Sequence, residues 1–268
     1  MRTVWKGAVG FGMVTIPVRL YSATQEKDIQ FHQVHRDDGG RIRYKRVCSI
    51  DGAEVPYSDV AKGYDLPTGE MVILDDSDFA GLPLSSSKQM SVQQFVPLEQ
   101  VDPILFNKSY FLEPDELSLK PYLLLRDALS RSGLVALVKV ALRQREALGC
   151  LRARDDVLVL ETMLWPDEIR TPQFEVLQTE AELTEAETAM ADALVATLAG
   201  DFDPDAHTDA YREALQQVID AKIAGDEIVP APEQDGSGTV VDLMATLQAS
   251  IEAARRAREE AAQEATGA

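Results

Sequence analysis

Alternating apolar and polar positions predict several short β-strands in the first two-thirds of the chain. One strand covers residues 14–21, where Val14, Ile16, Val18 and Leu20 share one face, since successive side chains of a strand point to opposite sides. Pro17 interrupts this strand. Because proline has no N–H to donate to a neighbouring strand, we expect the strand to lie at a sheet edge or to carry a bulge.

A hairpin is predicted for residues 29–47. The segment 29–35 leads into Asp37-Asp38-Gly39-Gly40 and returns through 41–47, and glycine readily adopts the positive φ that such a turn needs. On the returning strand, period two separates two faces. One face carries Arg41, Arg43, Lys45 and Val47, and the other carries Ile42, Tyr44 and Arg46.

Later segments predict more strands and one helix. Short strands are expected at 71–74, 90–96 and 109–112, and near-continuous apolar runs at 134–145, 149–154 and 156–164 indicate strands buried on both faces. A helix is expected at 119–132, with Pro121 in its first turn and Gly133 just beyond its end. Strands spaced in this way, with turn signals between them, favour a barrel or a sandwich.

After Pro166 the pattern becomes helical. Thr179-x-x-Glu182 predicts a capping box for a helix that ends at Gly200, and a second helix follows Asp203-Pro204 and ends at Gly225. Residues 226–238 are rich in Pro, Gly and Ser, which is typical of a linker. Residues 239–263 form an amphipathic helical pattern, and no internal repeat of useful length is found.

The charge of the chain is strongly acidic but unevenly distributed. With 26 Lys+Arg against 45 Asp+Glu, the net charge is −19 and the pI about 4.5, a balance that argues against nucleic acid and anionic membranes. Residues 1–50 nevertheless carry a net +5, and residues 120–154 carry +6. We therefore expect a basic working surface on an acidic remainder. The two cysteines suit a reducing cytoplasm.

Motifs for catalysis and metal binding are weak. His32, His35 and Cys48 are the candidate metal ligands, but side chains three apart on a strand point to opposite faces, so no metal site is predicted. The carboxylate pairs Asp75/Asp76 and Asp155/Asp156 fit a helix N-cap and a hairpin turn better than acid–base catalysis. We therefore expect no catalytic residue, no cofactor and no enzymatic activity.

The basic residues themselves leave two interpretations open. A run such as Arg41 to Arg46 is often a solvated surface. Two basic sets on distant strands, dominated by arginine, instead suit bidentate contacts with phosphates. No aromatic motif for base stacking accompanies them. From the residues alone we expect a groove for the backbone of a duplex.

Several segments resemble the bacterial Ku family, whose members bind DNA ends in non-homologous end joining. The resemblance covers essentially the whole chain and lies in WKGAVGFGMVTIPVRLYSAT (5–24), FHQVHRDDGGRIRYKRVC (31–48), KGYD (62–65), SYFLEPD (109–115) and LWPDEIR (164–170). It implies an α+β fold in which a β-barrel core carries an inserted DNA-bridging arm and is followed by a helical C-terminal region. It also implies a homodimeric ring around double-stranded DNA ends, which recruits and stimulates an ATP-dependent DNA ligase.

The resemblance assigns domains and residues. It implies a barrel core at 1–170 with an arm at about 24–62, a helical supporting region at 171–225, the linker at 226–238 and a ligase-contact helix at 239–268. The implied DNA-binding residues are Lys27, Arg36, Arg41, Arg43, Lys45, Arg46, Lys62, Arg143, Arg145, Arg152 and Arg154. The implied ligase-contact residues are Val241, Leu243, Met244, Leu247 and Ile251.

The family also implies a cytoplasmic, nucleoid-associated protein without a membrane partner. The alternative is an acidic scaffold for protein–protein interactions, in which the barrel binds protein. That alternative predicts equal binding of linear and closed-circular DNA and no dependence on salt.

Overall fold

The computed structural model describes residues 1–80, 88–142, 145–225 and 243–266. The chain divides into two compact units, Met1–Thr171 and Pro172–Ala268. The described strands are β1 Thr3–Phe11, β2 Val14–Ser22, β3 Lys62–Asp65, β4 Met71–Leu74, β5 Gln89–Pro97, β6 Phe106–Pro114, β7 Leu134–Leu142, β8 Arg145–Arg154 and β9 Val157–Met163. The described α-helices are α1 Asp76–Ala80, α2 Leu119–Ser132, α3 Glu185–Leu198, α4 Ala210–Ala224 and α5 Leu243–Thr266.

Seven of the described strands close a barrel in the order β1-β2-β6-β9-β8-β7-β5. Strand β5 meets β1 in parallel, and the other neighbours are antiparallel. Strands β3 and β4 form a separate antiparallel ribbon. The α+β fold with a β-barrel core is therefore confirmed, and the open choice between barrel and sandwich is decided in favour of the barrel.

Alternating side chains fill the barrel interior. Ile16, Val18 and Leu20 of β2 are buried, as predicted, in one cluster with Leu151 and Leu160. Full burial of such a side chain contributes about 1.5–3 kcal/mol. Val14, predicted on the same face, is exposed because it begins the strand just after the tight turn from β1.

The outer faces of β7 and β8 are covered as well. Val135, Cys150 and Met163 are buried in a second cluster with Val101, which follows the 3₁₀ turn Leu98–Gln100. The prediction that these strands bury both faces therefore holds at Val135, Cys150 and Met163. Lys139 and Arg154, on the same outer faces, have exposed side chains. Burial raises the pKa of the Cys150 thiol to about 11, so the thiol stays protonated and unreactive at neutral pH.

Pro17 does not lie at an edge or a bulge, so that prediction is wrong. Strand β2 is an interior strand, and its register with β1 continues through Pro17. The Pro17 carbonyl accepts hydrogen bonds from the Asp115 N–H (3.3 Å) and the Ser118 hydroxyl (2.9 Å). The position where an N–H would stand therefore faces β6. Because the β2–β6 pairing begins only at Val18, one residue later, no ladder hydrogen bond is lost.

Helix α2 has the bounds that the sequence predicts, Leu119–Ser132. Gly133 ends it with φ +66°, and its N–H donates to the Leu129 carbonyl (3.1 Å). Tyr122, Leu125 and Leu129 are buried in the barrel cluster. The helix is therefore an integral part of the barrel unit.

The second unit is helical in its described residues, but its first helix begins later than predicted. The capping box lies at Thr184 and Glu187, where the Glu187 N–H donates to the Thr184 hydroxyl (3.2 Å) and the Thr184 N–H donates to the Glu187 carboxylate (2.8 Å). Thr179 has extended backbone after the 3₁₀ turn Glu175–Gln178, so the predicted box there is wrong. The T-x-x-E pattern occurs twice, and only the second copy leads directly into an unbroken run of helix formers.

The other predictions for this unit have mixed outcomes. Helix α4 ends at Gly225 (φ +82°), as predicted, but begins at Ala210 after a 3₁₀ turn at Pro204–Ala206. The predicted linker at 226–238 lies outside the described residues. None of the described helices is both long and apolar enough to cross a membrane.

Candidate nucleic-acid interface

The arm is the excursion that the chain makes between barrel strands β2 and β5. It takes in residues 24–62 together with the β3–β4 ribbon. Among its described residues 24–79, no side chain is buried. Because the arm has no core of its own, nearly all its side chains are accessible to a ligand.

The predicted hairpin forms its turn but not its strands. The His35 N–H donates to the Gly40 carbonyl (2.8 Å), and the Ile42 N–H donates to the Gln33 carbonyl (3.0 Å). Only an isolated bridge, Val34 with Arg41, joins the two sides. A two-stranded hairpin with no further strand and no core beneath it is only marginally stable, which accounts for the absence of regular strands among the described residues 29–47.

The turn recurs thirteen residues later, so the chain does contain a short internal repeat. Residues 34–39 and 47–52 share Val, Asp and Gly at equivalent positions. In each copy the glycine N–H donates to the carbonyl four residues earlier (2.9 Å), and φ is +70° at Gly39 and +72° at Gly52. The spacing V-x-x-x-D-G is the sequence signal that predicts the second turn. Local hydrogen bonds therefore shape the arm in place of a core.

The basic residues of the arm fall into two groups. Lys45 pairs with Glu54 (2.7 Å), the Arg46 guanidinium lies over the Tyr57 ring (5.1 Å), and Lys62 lies over Phe79 (3.9 Å). Lys27, Arg36, Arg41 and Arg43 are exposed, and none forms an ion pair with a described acidic residue. This second group is the cationic surface of the arm that is left for an anionic ligand.

The basic residues of the barrel wall are more strongly neutralised. Arg152 makes a bidentate contact with Glu161 (2.9 and 3.1 Å), and the two side chains are only 26% and 15% exposed. Arg154 lies 3.8 Å from Asp155 and is mostly exposed. The Glu161 contact raises the pKa of Arg152, so this guanidinium stays charged. Sequence reasoning missed Glu161, because only the β8–β9 register brings it beside Arg152.

Arg145 does not share a face with Lys139, although the single strand predicted at 134–145 would place these two residues, six apart, on the same side. Strand β7 ends at Leu142, and Arg145 begins β8 as the partner of Leu142. Arg145 has the inward parity of Ala147 and lines the rim of the barrel. Lys139 instead points outward, between Glu146 (3.6 Å) and the Trp165 ring (5.5 Å). Arg143 lies outside the described residues.

His35 and Cys48 are engaged with aspartates of their own turns. His35 Nδ1 lies 3.0 Å from Asp38 Oδ1. The Ala53 N–H and then the Cys48 thiol hold the pKa of Asp51 below its ordinary value. Across the described part of the chain, no group of three or more His, Cys, Asp or Glu side chains is placed to bind a metal ion. The predicted turn roles of the aspartate pairs fit the structure, since Asp75 accepts the Ser77 N–H (2.9 Å) ahead of α1.

The ligase-contact residues implied by the family resemblance lie on or beside α5, which packs against α3. Met244, Leu247 and Ile251 are half-buried along one side of α5. Leu243 begins the helix, although its side chain is not described, and Val241 lies outside the described residues.

Comparison with known proteins identifies relatives over nearly the whole chain. The sequence matches the family described as the Ku70/Ku80 beta-barrel domain over residues 10–190. It is 61% identical over 258 residues to the non-homologous end joining protein Ku of Frankia casuarinae, covering 96% of this chain and 65% of that protein. It is 45% identical over 265 residues to the protein of the same name from Mycobacterium tuberculosis, covering 96% and 97%. The chain thus spans just under two thirds of the Frankia relative and nearly all of the mycobacterial one.

Proposed function

This chain belongs to the Ku family, and from that premise we propose that it binds the ends of double-stranded DNA, without sequence preference, as a homodimeric ring in non-homologous end joining. Ku proteins act by binding rather than by catalysis, so the function requires no catalytic group. A closed ring can be threaded only by the free end of a DNA duplex. This topology explains a preference for DNA ends.

The observation that carries the proposal is the state of the arm. Arg41 and Arg43 project from a segment without buried side chains, and no described acidic residue pairs with either. An exposed guanidinium makes bidentate contacts with phosphate oxygens. Phosphate contacts supply affinity without reading the bases. The two arginines therefore suit a partner that is recognised by its backbone.

The two basic groups have unequal roles in this proposal. Lys27, Arg36, Arg41 and Arg43 are the main phosphate contacts, and Arg145 and Arg154 are secondary contacts on the barrel. Lys45, Arg46 and Lys62 are held by neighbours of the arm and position it beside the duplex. Arg152 chiefly holds Glu161, so its role is to support the barrel wall.

A mobility-shift titration tests the proposal on the double variant Arg41→Glu/Arg43→Glu. We expect at least tenfold weaker binding of linear duplex, uniformly across sequences, and a salt slope shallower by about two, since each lost phosphate contact removes roughly one. The wild type is expected to prefer linear duplex to a covalently closed circle of the same sequence.

Lys120→Glu is the matched control, because Lys120 is an exposed cation on α2, away from the arm. It changes net charge in the same sense and should leave the salt slope nearly unchanged. Equal binding of linear and closed DNA by the wild type, without salt dependence, would support the scaffold alternative and reject the proposal.

Recruitment and stimulation of an ATP-dependent DNA ligase form the second part of the proposal. Its support is the resemblance of residues 240–257 to the region of the family implicated in ligase contact, and the apolar stripe of Met244, Leu247 and Ile251 on α5. The corresponding location is the nucleoid, where DNA ends and the ligase meet.

A further inference from the structure

Helices α3 and α5 of the second unit are neighbours, and each carries one narrow stripe of half-buried side chains with the same spacing. The helices are in contact. On α3, the half-buried positions are Glu187, Met190, Leu194 and Thr197; on α5, among the described side chains, they are Met244, Leu247, Ile251 and Ala254. The other described side chains of both helices are exposed.

Both stripes follow a 3-4-3 spacing. This spacing is that of alternating a and d positions in a coiled coil, where each helix buries a thin seam against its partner. Each seam is two heptads long at most; the α3 seam includes the polar residues Glu187 and Thr197, and the α5 seam includes the small residue Ala254. A short seam of this kind makes a weak contact that opens readily.

Three of the seam residues on α5 are those assigned above to ligase contact. Met244, Leu247 and Ile251 cannot pack against α3 and against another protein at the same time. An amphipathic helix docks into an apolar groove through anchors spaced i, i+3 and i+7, which is the spacing of these three residues. The opposite side of α5 offers charge instead, with Arg256 3.6 Å from Glu252.

We infer that α3 covers the ligase-binding face of α5, so that the ligase must displace α3 before it binds. This inference rests on the proposed ligase contact. The ligase can bind only those molecules in which α5 is free. The apparent affinity is therefore the intrinsic affinity multiplied by the fraction of such molecules. The site on the ligase is accordingly an apolar groove that accepts one face of α5. This groove takes the place of Met190 and Leu194 of α3.

Two variants on α3 test the inference without altering α5. Leu194→Ala removes an apolar seam side chain, and Thr197→Leu replaces the polar seam position with a larger apolar one. Both are made in the full chain. Amide exchange of residues 243–256 reports whether α5 is covered, and binding of the purified ATP-dependent end-joining ligase from the same organism reports the consequence.

Leu194→Ala should speed exchange in α5 and tighten ligase binding by roughly three- to tenfold, in line with a larger free fraction. Thr197→Leu should have the opposite effect on both measurements. Asp192→Ala is the control, since Asp192 is exposed on another side of α3, and it should change neither.

The outcomes separate the two proposals. If Leu247→Asp on α5 leaves ligase binding unchanged, the ligase contact lies elsewhere and that part of the proposed function fails. If Leu247→Asp abolishes binding while Leu194→Ala speeds exchange without changing affinity, the ligase contact stands and the covering role of α3 is rejected. Unchanged exchange in both α3 variants also rejects it.

Discussion

Arginine residues of identical charge have different roles in this molecule because their neighbours differ. Arg41 is exposed on an arm without a core, and no described acidic residue pairs with it. Arg152 donates through Nε and Nη2, on one edge of its guanidinium, to both carboxylate oxygens of Glu161 on the adjacent strand. Removing a partner from a half-buried pair leaves a charge with poor solvation, whereas removing an exposed arginine does not. The contact made by each arginine therefore separates those expected to stabilise the barrel from those proposed to bind phosphate.

Replacing Arg152 by Ala should lower the free energy of unfolding by about 1–2 kcal/mol, between the values typical of exposed and buried ion pairs. Chemical denaturation of the barrel unit within the full chain measures it. Arg41→Ala is the paired control and should leave the unfolding free energy unchanged while weakening DNA binding. Equal stability of the two variants would contradict the assignment of Arg152 to the barrel wall.

At the scale of elements, the Tyr122 hydroxyl joins α2 to two strands of the barrel. The Tyr122 hydroxyl donates to the Leu112 carbonyl of β6 (2.8 Å) and accepts the Leu158 N–H of β9 (2.7 Å). Leu112 and Leu158 are the last pair in the register of these strands. Burial raises the pKa of Tyr122, so the hydroxyl keeps the proton that it donates. The helix thereby completes the hydrogen bonding at this end of the β6–β9 ladder.

Tyr122→Phe removes that hydroxyl and keeps the ring. Because the buried carbonyl and N–H both lose a partner, we expect a loss of about 2–3 kcal/mol in unfolding free energy. Thermal and urea denaturation measure it. Leu124→Ala on the exposed side of α2 is the control, with an expected effect within about 0.5 kcal/mol. A neutral Tyr122→Phe would show that water replaces both bonds.

The start of α3 should respond to acid. The Thr184 N–H and hydroxyl hold the pKa of Glu187 below its ordinary value of 4.5. A lowered carboxyl pKa means that the cap stabilises the helix fully above the unfolded value and loses this effect as pH falls through the folded value. NMR titration of the Glu187 carboxyl and of the Thr184 amide should therefore show joint transitions below pH 4.5.

Thr184→Val removes the hydroxyl of this capping box and serves as its control. The Glu187 pKa should then rise toward its ordinary value, because one of the two groups that stabilise the carboxylate is lost. An unchanged titration of Glu187 in this variant would exclude the hydroxyl as a cause of the lowered pKa.

At the scale of the whole molecule, charge and apolar surface are distributed unevenly. The net charge of −19 coexists with four exposed basic residues on the arm that pair with no described acidic residue, so an anionic ligand meets positive charge locally although the molecule as a whole is acidic. The second unit leaves many large apolar side chains exposed: Phe174, Val176, Leu177, Leu183, Val195, Leu198, Phe202, Tyr211 and Ile223. Apolar exposure on this scale is typical of a protein interface. In the proposed homodimeric ring, the partner that covers this apolar surface is a second copy of the chain.

The double variant Leu198→Asp/Ile223→Asp should weaken the dimer by roughly a hundredfold or more, because it places two carboxylates in a contact that excludes water. Light scattering after size exclusion would give the mass of one chain where the wild type gives two. Leu117→Asp alters a fully exposed leucine of the barrel unit and should leave the dimer intact. A wild type that elutes as a single chain would reject the homodimer.

Local patterns predicted the parts of the fold that depend on neighbours in sequence. The bounds of α2 and the existence of the barrel strands follow from period and capping, which act over a few residues. The first turn of the arm was predicted from its glycines. The two strands predicted on either side of it do not form, because a strand needs a partner sheet or a core. The second capping box and the repeated turn also follow local spacings, T-x-x-E and V-x-x-x-D-G.

The sequence alone determined the family to which this chain belongs and the positions of its basic residues, because motifs and charges are properties of the chain. Tertiary structure decided which of those charges remain available. The Arg152–Glu161 pair, the outward Lys139, the rim position of Arg145 and the α3–α5 seam all depend on register or on contacts between distant segments. A one-residue change of register reverses every side chain of a strand. Which arginine of the barrel wall is left without an acidic partner is therefore settled only when the barrel strands pair in register.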